Sequence, residues 1–359
     1  MSGGGASRRA LVVGTGLIGG SLGLGLRARG WHVSGRDADP DREAAALAAG
    51  ALDAVGPDPL AELAFVATPL ADAAEVASDL LAEGRVDLVV SDVCGVKAPV
   101  VAAVRHPRFV GGHPMAGSEQ VGLAGADPDL FVGATWVLTP TETTDAPAFA
   151  RVQAVAQSLG ADVIALSPAD HDRMVAVVSH VPHLVAATLM NAASSGAERD
   201  AALLRLAAGG FRDMTRVSAG HPGIWPDICA DNSVAIVRAM DRLLEDLRAV
   251  RDEVAGGDRA RLLAMLDRAS AARRALPARA ARPEGLAELR IPVPDRAGVL
   301  AEVTTIAGNL GINVEDIEIA HSTEGPRGVL VLVVDRDEAA KLHDAVIGRG
   351  YRCTVVELS

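Results

Sequence analysis

Cysteine is scarce in this chain. Cys94, Cys229 and Cys353 stand far apart among 359 residues and are odd in number. That excludes a disulfide framework and predicts a reducing compartment, the cytoplasm. Lysine is scarcer still. Of 34 basic residues only Lys97 and Lys341 are lysine, so arginine carries nearly all the positive charge. Positive charge is itself outweighed, because 46 acidic residues bring the net charge to −12. No basic patch stands out, so nucleic acid is not an expected partner; duplex binding needs cations to replace counterions. No unbroken apolar run reaches the roughly 18 residues of a membrane span, so no membrane association is expected either. The first residues, MSGGGASRR, lead directly into an apolar strand. Gly14, Gly16 and Gly19 then interrupt what a signal peptide would need as its apolar core.

Hydrophobic residues make up 49% and charged residues 22%, which allows a packed core. The length suggests two or three domains. Ala10–Val13 is an apolar run, followed by GTGLIG from Gly14 to Gly19 and an apolar, Gly/Ala-rich helical pattern to about Arg29. This is strand, glycine turn, helix. Gly14 permits the turn, Gly16 admits a pyrophosphate against the backbone, and Gly19 lets helix and strand pack closely. Leu17 and Ile18 open the helix, whose free N–H groups face the phosphates. A second strand, Trp31–Gly35, ends near Asp37, about twenty residues past the turn, where an acid can bond the adenosine ribose hydroxyls. Asp37 therefore favours NAD over NADP, since a carboxylate repels a 2′-phosphate, and its replacement by Ser or Ala is expected to move preference toward NADP. Arg36 beside it pulls the other way, as a side chain able to accept that phosphate.

The alternation continues. Strands are predicted at Leu63–Ala67, Leu88–Ser91, Phe109–Gly111, Thr135–Leu138 and Asp162–Ala165, with helices over 70–83, Val96–Val104 and 146–159. Alternating units imply a mainly parallel sheet with its ligand crevice at the strand C-termini. Thr68-Pro69, the stretch from Ser91 to Gly95, and His113 all follow strands and should face that crevice. After Ser167 the pattern is helical. Ser167 or Asp170 can cap a long helix through Gly196, with a kink at Pro182. Further helical pattern covers 198–208, 223–255 and 258–275. The domain reading is a dinucleotide-binding α/β domain over 8–166 and an all-α domain over 167–275. A proline-containing linker over 276–285 precedes a βαββαβ ferredoxin-like domain over 286–359.

Four places can carry chemistry. His113, at a strand end beside a dinucleotide crevice, can take a proton near neutral pH while a hydride leaves. Ser179 and His183, four apart in SHVPH, share a helix face among apolar neighbours, where buried polar groups need partners. Arg212 and Arg216 of FRDMTR can each grip a carboxylate through a bidentate fork, and Asp213 can orient one of them. No cluster with metal-ligand spacing stands out.

These motifs, with ATP at 67–69, SDVCGVK, GGHPMAGSE, HD at 171–172, Trp225 and Asn232, resemble the prephenate dehydrogenase family. VPDRAGVLAEV and GINVEDIEI in the tail resemble an ACT regulatory domain. The resemblance implies a Rossmann-like domain, a helical domain that forms homodimers, and NAD-dependent oxidative decarboxylation of prephenate to 4-hydroxyphenylpyruvate. It implies that His113 accepts the hydroxyl proton and that Arg216 holds a substrate carboxylate. Ser179 and His183 would line the pocket, with Glu119 at its mouth. An aromatic amino acid, tyrosine first among them, would bind the tail at Asp295, Gly298 and Asn313. One position departs from the family, which carries serine in D-x-x-S-x-K, bonded to the catalytic histidine. Here it is Gly95, leaving Ser91, Cys94 or water as substitutes. Rival readings are arogenate as substrate, a β-hydroxyacid dehydrogenase, and a non-catalytic nucleotide and amino-acid sensor. The second resembles lysine-based sites, and no lysine lies between Lys97 and Lys341.

Overall fold

In a computed structural model the chain divides into two compact units, Met1–Ala255 and Gly256–Ser359. The structure describes residues 8–117, 120, 122–197, 202–220, 222–275, 285–294, 296–321 and 327–357. Glu119 and Asp295 lie outside the described residues.

The first unit begins with alternating elements: β1 (Arg9–Val13), α1 (Leu17–Ala28), β2 (His32–Arg36), α2 (Pro40–Ala48), β3 (Ala54–Val55), β4 (Leu63–Val66), α3 (Leu70–Glu83), β5 (Val89–Asp92), α4 (Ala98–Ala103), β6 (Phe109–Pro114), β7 (Thr135–Thr139), α5 (Ala146–Ser158) and β8 (Asp162–Ala165). They form one eight-stranded sheet in the order β3-β2-β1-β4-β5-β6-β7-β8. All neighbours are parallel except β6 and β7. Strand order reverses at β1, whose neighbours are β2 and β4, so a crevice opens at the C-terminal ends there. Both faces are covered, which is why β4 and β5 are buried along their whole length. One face packs Leu22, Leu26, Phe65, Trp136 and Leu159, the other Ala77, Leu80, Val90 and Val100. The sequence reading missed α2 and the short β3. Asp39 caps α2 by accepting the Asp41 N–H, with Pro40 at the first helical position.

The helical part holds α6 (Pro168–Val175), a π-helical turn over Ala176–His180, and α7 (Val181–Ala197). It continues with α8 (Gly209–Thr215), α9 (Trp225–Asp231) and α10 (Ser233–Gly256). Ser167, not Asp170, is the cap of α6, accepting the Asp170 N–H. Pro182 does not break the helix. The turn before it widens to i→i+5 bonding, which absorbs the missing donor. The expected helix over 198–208 is instead a single 3₁₀ turn, Leu203–Leu206, within its described part. The expected 223–255 helix is interrupted at Asn232, which leaves that side chain free to bond elsewhere. Pro168–Ala197 is long and apolar enough, by length and composition, to cross a membrane, with a mean hydropathy of 1.4. It holds no unbroken apolar run of that length, because Ser179, His180 and His183 punctuate it. Its buried Ala176 and Val181 pack with Ile236 of α10.

The second unit starts with α11 (Arg259–Arg274), which has no buried residue. The βαββαβ pattern follows: β9 (Leu286–Pro294), α12 (Val299–Asn309), β10 (Asp316–His321), β11 (Arg327–Asp335), α13 (Arg336–Gly348) and β12 (Thr354–Glu357). The sheet order is β10-β11-β9-β12, all antiparallel. Leu289, Ile291, Val303, Leu330, Leu332 and Leu342 fill its core.

Candidate active site

Three strand ends meet at the crevice. The first is the glycine turn after β1. Gly14 has φ +93°, and a Cβ there would run into the Ala67 carbonyl after β4. A Cβ on Gly19 would strike the Gly14 carbonyl, whereas Gly16 faces open space. That division suits a turn whose middle residue admits a diphosphate. Gly16 caps α1 and no side chain accepts from its first turn, so those N–H groups point at the opening. At the end of β4, the Thr68 hydroxyl is buried and has no partner among the described residues, while Pro69 caps α3. Both features fit a bound dinucleotide. Asp37 lies beyond β2, and its Oδ2 accepts the Thr15 N–H at 2.7 Å and the Thr15 hydroxyl at 3.0 Å.

The second strand end is that of β5. Lys97, one of the two lysines, is fully buried and ion-paired with Asp92, which is buried as well. Asp92 also accepts the N–H groups of Cys94 (3.0 Å) and Gly112 (3.2 Å), so its charge is fully compensated.

The third carries His113, the penultimate residue of β6. Its Nδ1 lies 2.8 Å from Nε2 of His171 on α6. His171 Nδ1 lies 2.8 Å from Asp172 Oδ1. Asp172 also accepts the N–H groups of Lys97 (2.7 Å) and Ala98 (2.8 Å) at the start of α4. A carboxylate surrounded by donors can only accept, so His171 donates from Nδ1 and presents a lone pair at Nε2. His113 therefore donates from Nδ1, which leaves the lone pair on its Nε2. The tautomers are assigned here from this hydrogen-bond chain. Burial first, then electrostatic interaction with His171, Lys97 and His180, holds His113 well below the usual imidazole range. At neutral pH it is an uncharged base with its acceptor nitrogen exposed for use.

That nitrogen faces Gly95. A Cβ on Gly95 would sit 3.8 Å from His113 Nε2, an ordinary contact, so the place of the family serine is vacant and sterically open. Neither side-chain substitute bonds His113. Ser91 donates to the Asp92 carbonyl, and the Cys94 thiol to the Thr68 carbonyl. Burial and the Asp92 charge push the Cys94 thiol upward in pKa, so it stays protonated. The partner that orients the ring is His171, on the opposite nitrogen.

A second layer belongs to the helices. Asn232, at the break between α9 and α10, donates to the Asp172 carbonyl at 2.8 Å and lies 3.2 Å from His180 Nδ1. His183 stacks on Trp225 with ring centroids 3.6 Å apart. Burial lowers the pKa of both His180 and His183. Ser179 is half-buried in the π turn. Arg216 and Arg212 are exposed at the end of α8. Arg212 donates to the Ala207 carbonyl at 3.2 Å and makes no ion pair with Asp213, so the expected orienting role of Asp213 toward Arg212 is absent. In the second unit Gly298, φ +87°, caps α12, and Asn313 donates to Glu315 at 2.6 Å. Among the residues brought together, His171, Asp172, His180, Asn232 and Trp225 stand in the sequence only as letters of motifs, with no role read for them. HD next to a helix cap, with a second histidine in an apolar helix, was the available signal.

Known proteins match the chain along most of its length. Family models match in chain order: the nucleotide-binding domain of prephenate dehydrogenase at residues 22–165, its dimerization domain at 167–268 and an ACT domain at 287–346. A prephenate dehydrogenase of Bacillus subtilis is 32% identical over 92% of this chain and 93% of its own length. The solved prephenate dehydrogenase of Aquifex aeolicus, in complex with hydroxyphenyl propionate and NAD+, is 28% identical. It covers 77% of this chain and 100% of its own, with a TM-score of 0.71. An arogenate dehydrogenase from Synechocystis is 32% identical, covers 74% of this chain and 99% of its own, and has a TM-score of 0.65. A glycine cradle, a base held in one tautomer by a His–Asp pair, and domain matches over most of the length make this chain a member of the prephenate dehydrogenase family carrying an ACT domain.

Proposed function

We propose that the protein oxidises prephenate with NAD, releasing carbon dioxide and 4-hydroxyphenylpyruvate, in tyrosine biosynthesis in the cytoplasm. The carrying observation is the bare lone pair of His113 Nε2 at the same sheet edge as the glycine cradle. Gly14, Gly16, Leu17, Ile18 and Gly19 cradle the diphosphate, Thr68 and Pro69 border it, and Asp37 with Arg36 meets the adenosine ribose. NAD supplies the hydride acceptor. His113 takes the proton of the ring hydroxyl as hydride leaves the same carbon. The electron pair of the ring-carboxylate bond then enters the ring, carbon dioxide leaves, and the ring becomes aromatic as its oxygen recovers the proton from His113. Burial beside Lys97 disfavours the imidazolium, and the nearby Asp172 carboxylate, reached through His171, offsets part of that cost. Arg216 holds a substrate carboxylate. Ser179 and His183 line the pocket, and Arg212, Asp213 and Glu119 are further candidates for substrate binding.

We further assign residues 8–166, 167–275 and 286–359 to nucleotide, substrate and regulatory domains. Val177 and Val178 after α6, and Val234, Val237, Leu244 and Leu247 on α10, are exposed apolar residues. They form the surface for a homodimer. Tyrosine binding at Asp295, Gly298 and Asn313 would regulate turnover. The decisive assay follows reduced cofactor spectrophotometrically, with prephenate and arogenate each paired with NAD and NADP. Turnover of prephenate with NAD supports the reading. Turnover of arogenate alone reassigns the substrate, and no turnover with either sinks it.

A further inference from the structure

The end of β2 carries more negative charge than a ribose requires. Asp37 is already committed within the chain. Its Oδ2 holds the Thr15 N–H and hydroxyl, and its Oδ1 accepts the Asp39 N–H at 3.1 Å. Burial works against its ionisation, but these donors, with Arg42 nearby, hold its carboxyl below the usual range. Thr15 stands between Gly14 and Gly16, so Asp37 pins the glycine turn as well as ending the strand. A second carboxylate reaches the same spot from α2. Glu43 Oε1 accepts the Asp37 N–H at 2.8 Å, and the side chain is half-buried.

A 2′-phosphate on the adenosine ribose needs cations and free N–H donors at this strand end. Arg36 and Arg42 are there to serve. Glu43 opposes them twice, by its charge and by occupying the one backbone donor that Asp37 offers.

We propose that Glu43 is a second determinant of cofactor specificity, excluding the 2′-phosphate, while Asp37 is chiefly the tether of the glycine turn. This rests on the NAD reading above. It also alters an expectation from the sequence. Replacing Asp37 alone frees the Thr15 donors and loosens the cradle for either cofactor, so it is a poor route to NADP. Releasing specificity requires Glu43.

The test is calorimetry on the full-length protein with 5′-AMP and 2′,5′-ADP, which reads nucleotide binding without turnover. The wild type should prefer 5′-AMP. Glu43→Ala should narrow that preference by about tenfold, the order expected for one unit charge removed at close range near a surface. Glu43→Gln, which keeps an acceptor for the Asp37 N–H, should give part of that change. Both should leave 5′-AMP affinity nearly unaltered, and Asp37→Ala should weaken both nucleotides. A wild type that prefers 5′-AMP, with the ratio unmoved in Glu43→Ala, overturns the role of Glu43 alone. A wild type that binds 2′,5′-ADP as well as 5′-AMP, or binds neither, overturns the NAD reading and this proposal with it.

Discussion

Asp172→Asn is the sharpest test of the histidine pair. The carboxylate accepts three donors, the N–H groups of Lys97 and Ala98 and Nδ1 of His171. An amide offers one accepting oxygen and one donating NH2. With the oxygen toward Lys97 and His171, the NH2 opposes the Ala98 N–H. With the amide reversed, it opposes the Lys97 N–H and forces His171 to accept at Nδ1. Each orientation loses at least one charge-assisted bond and leaves a buried donor unsatisfied, so stability should fall by about 3–5 kcal/mol. The catalytic effect comes from the reversed amide. His171 would then carry its proton on Nε2 and His113 on its own Nε2, where the base needs a lone pair. We expect kcat to fall by about 10²–10⁴-fold, the usual worth of a general base, with cofactor affinity nearly unchanged. His113→Asn should lose the same range outright. Steady-state kinetics of the folded variant, together with nitrogen-15 shifts of the two imidazoles, separates a tautomer effect from simple unfolding. Normal kcat, with His113 still protonated at Nδ1, would refute the chain of reasoning from Asp172 to His113.

The remaining predictions concern pH, substrate grip and the tail. His113, His180 and His183 have lowered pKa values in the fold, so below about pH 6.5 the unfolded chain binds protons that the folded chain refuses. Stability should therefore fall as pH drops from 6.5 through the folded values, and thermal melts of His113→Asn should show a shallower fall; identical pH profiles would contradict the buried neutral histidine. Arg216→Ala should raise KM for prephenate by about tenfold or more, and Arg216→Lys should restore only part, because lysine lacks the fork; an unchanged KM in both removes Arg216 from the site. A chain ending near Gly285 should keep dehydrogenase activity and lose its response to tyrosine. If it is inhibited as strongly as the intact protein at varied prephenate, the tail is not the sensor.

The sequence by itself determined the nucleotide cradle, most of the strands and the βαββαβ tail. Each of these is written in residues that act on near neighbours. A glycine with positive φ makes a turn where it stands, and period-2 and period-3.6 patterns decide which face is buried. α2 escaped because it buries only Ala46 and its signal lay in the Asp39-Pro40 cap rather than in an apolar stripe. The same locality explains why His113 was legible, at the end of an apolar run. What oriented it was not. His171 lies 58 residues away from His113, Asp172 lies 75 from Lys97, and Asn232 lies 60 from Asp172. The sequence pointed to Gly95 as a missing partner, and only the tertiary structure showed that the ring is held from its other nitrogen. It also turned Lys97 from a compositional oddity into a buried counter-charge, and placed Glu43 against Asp37. Hydrogen bonds between distant segments leave no period in a sequence; they exist only once the sheet edge and the helices that close over it have come together.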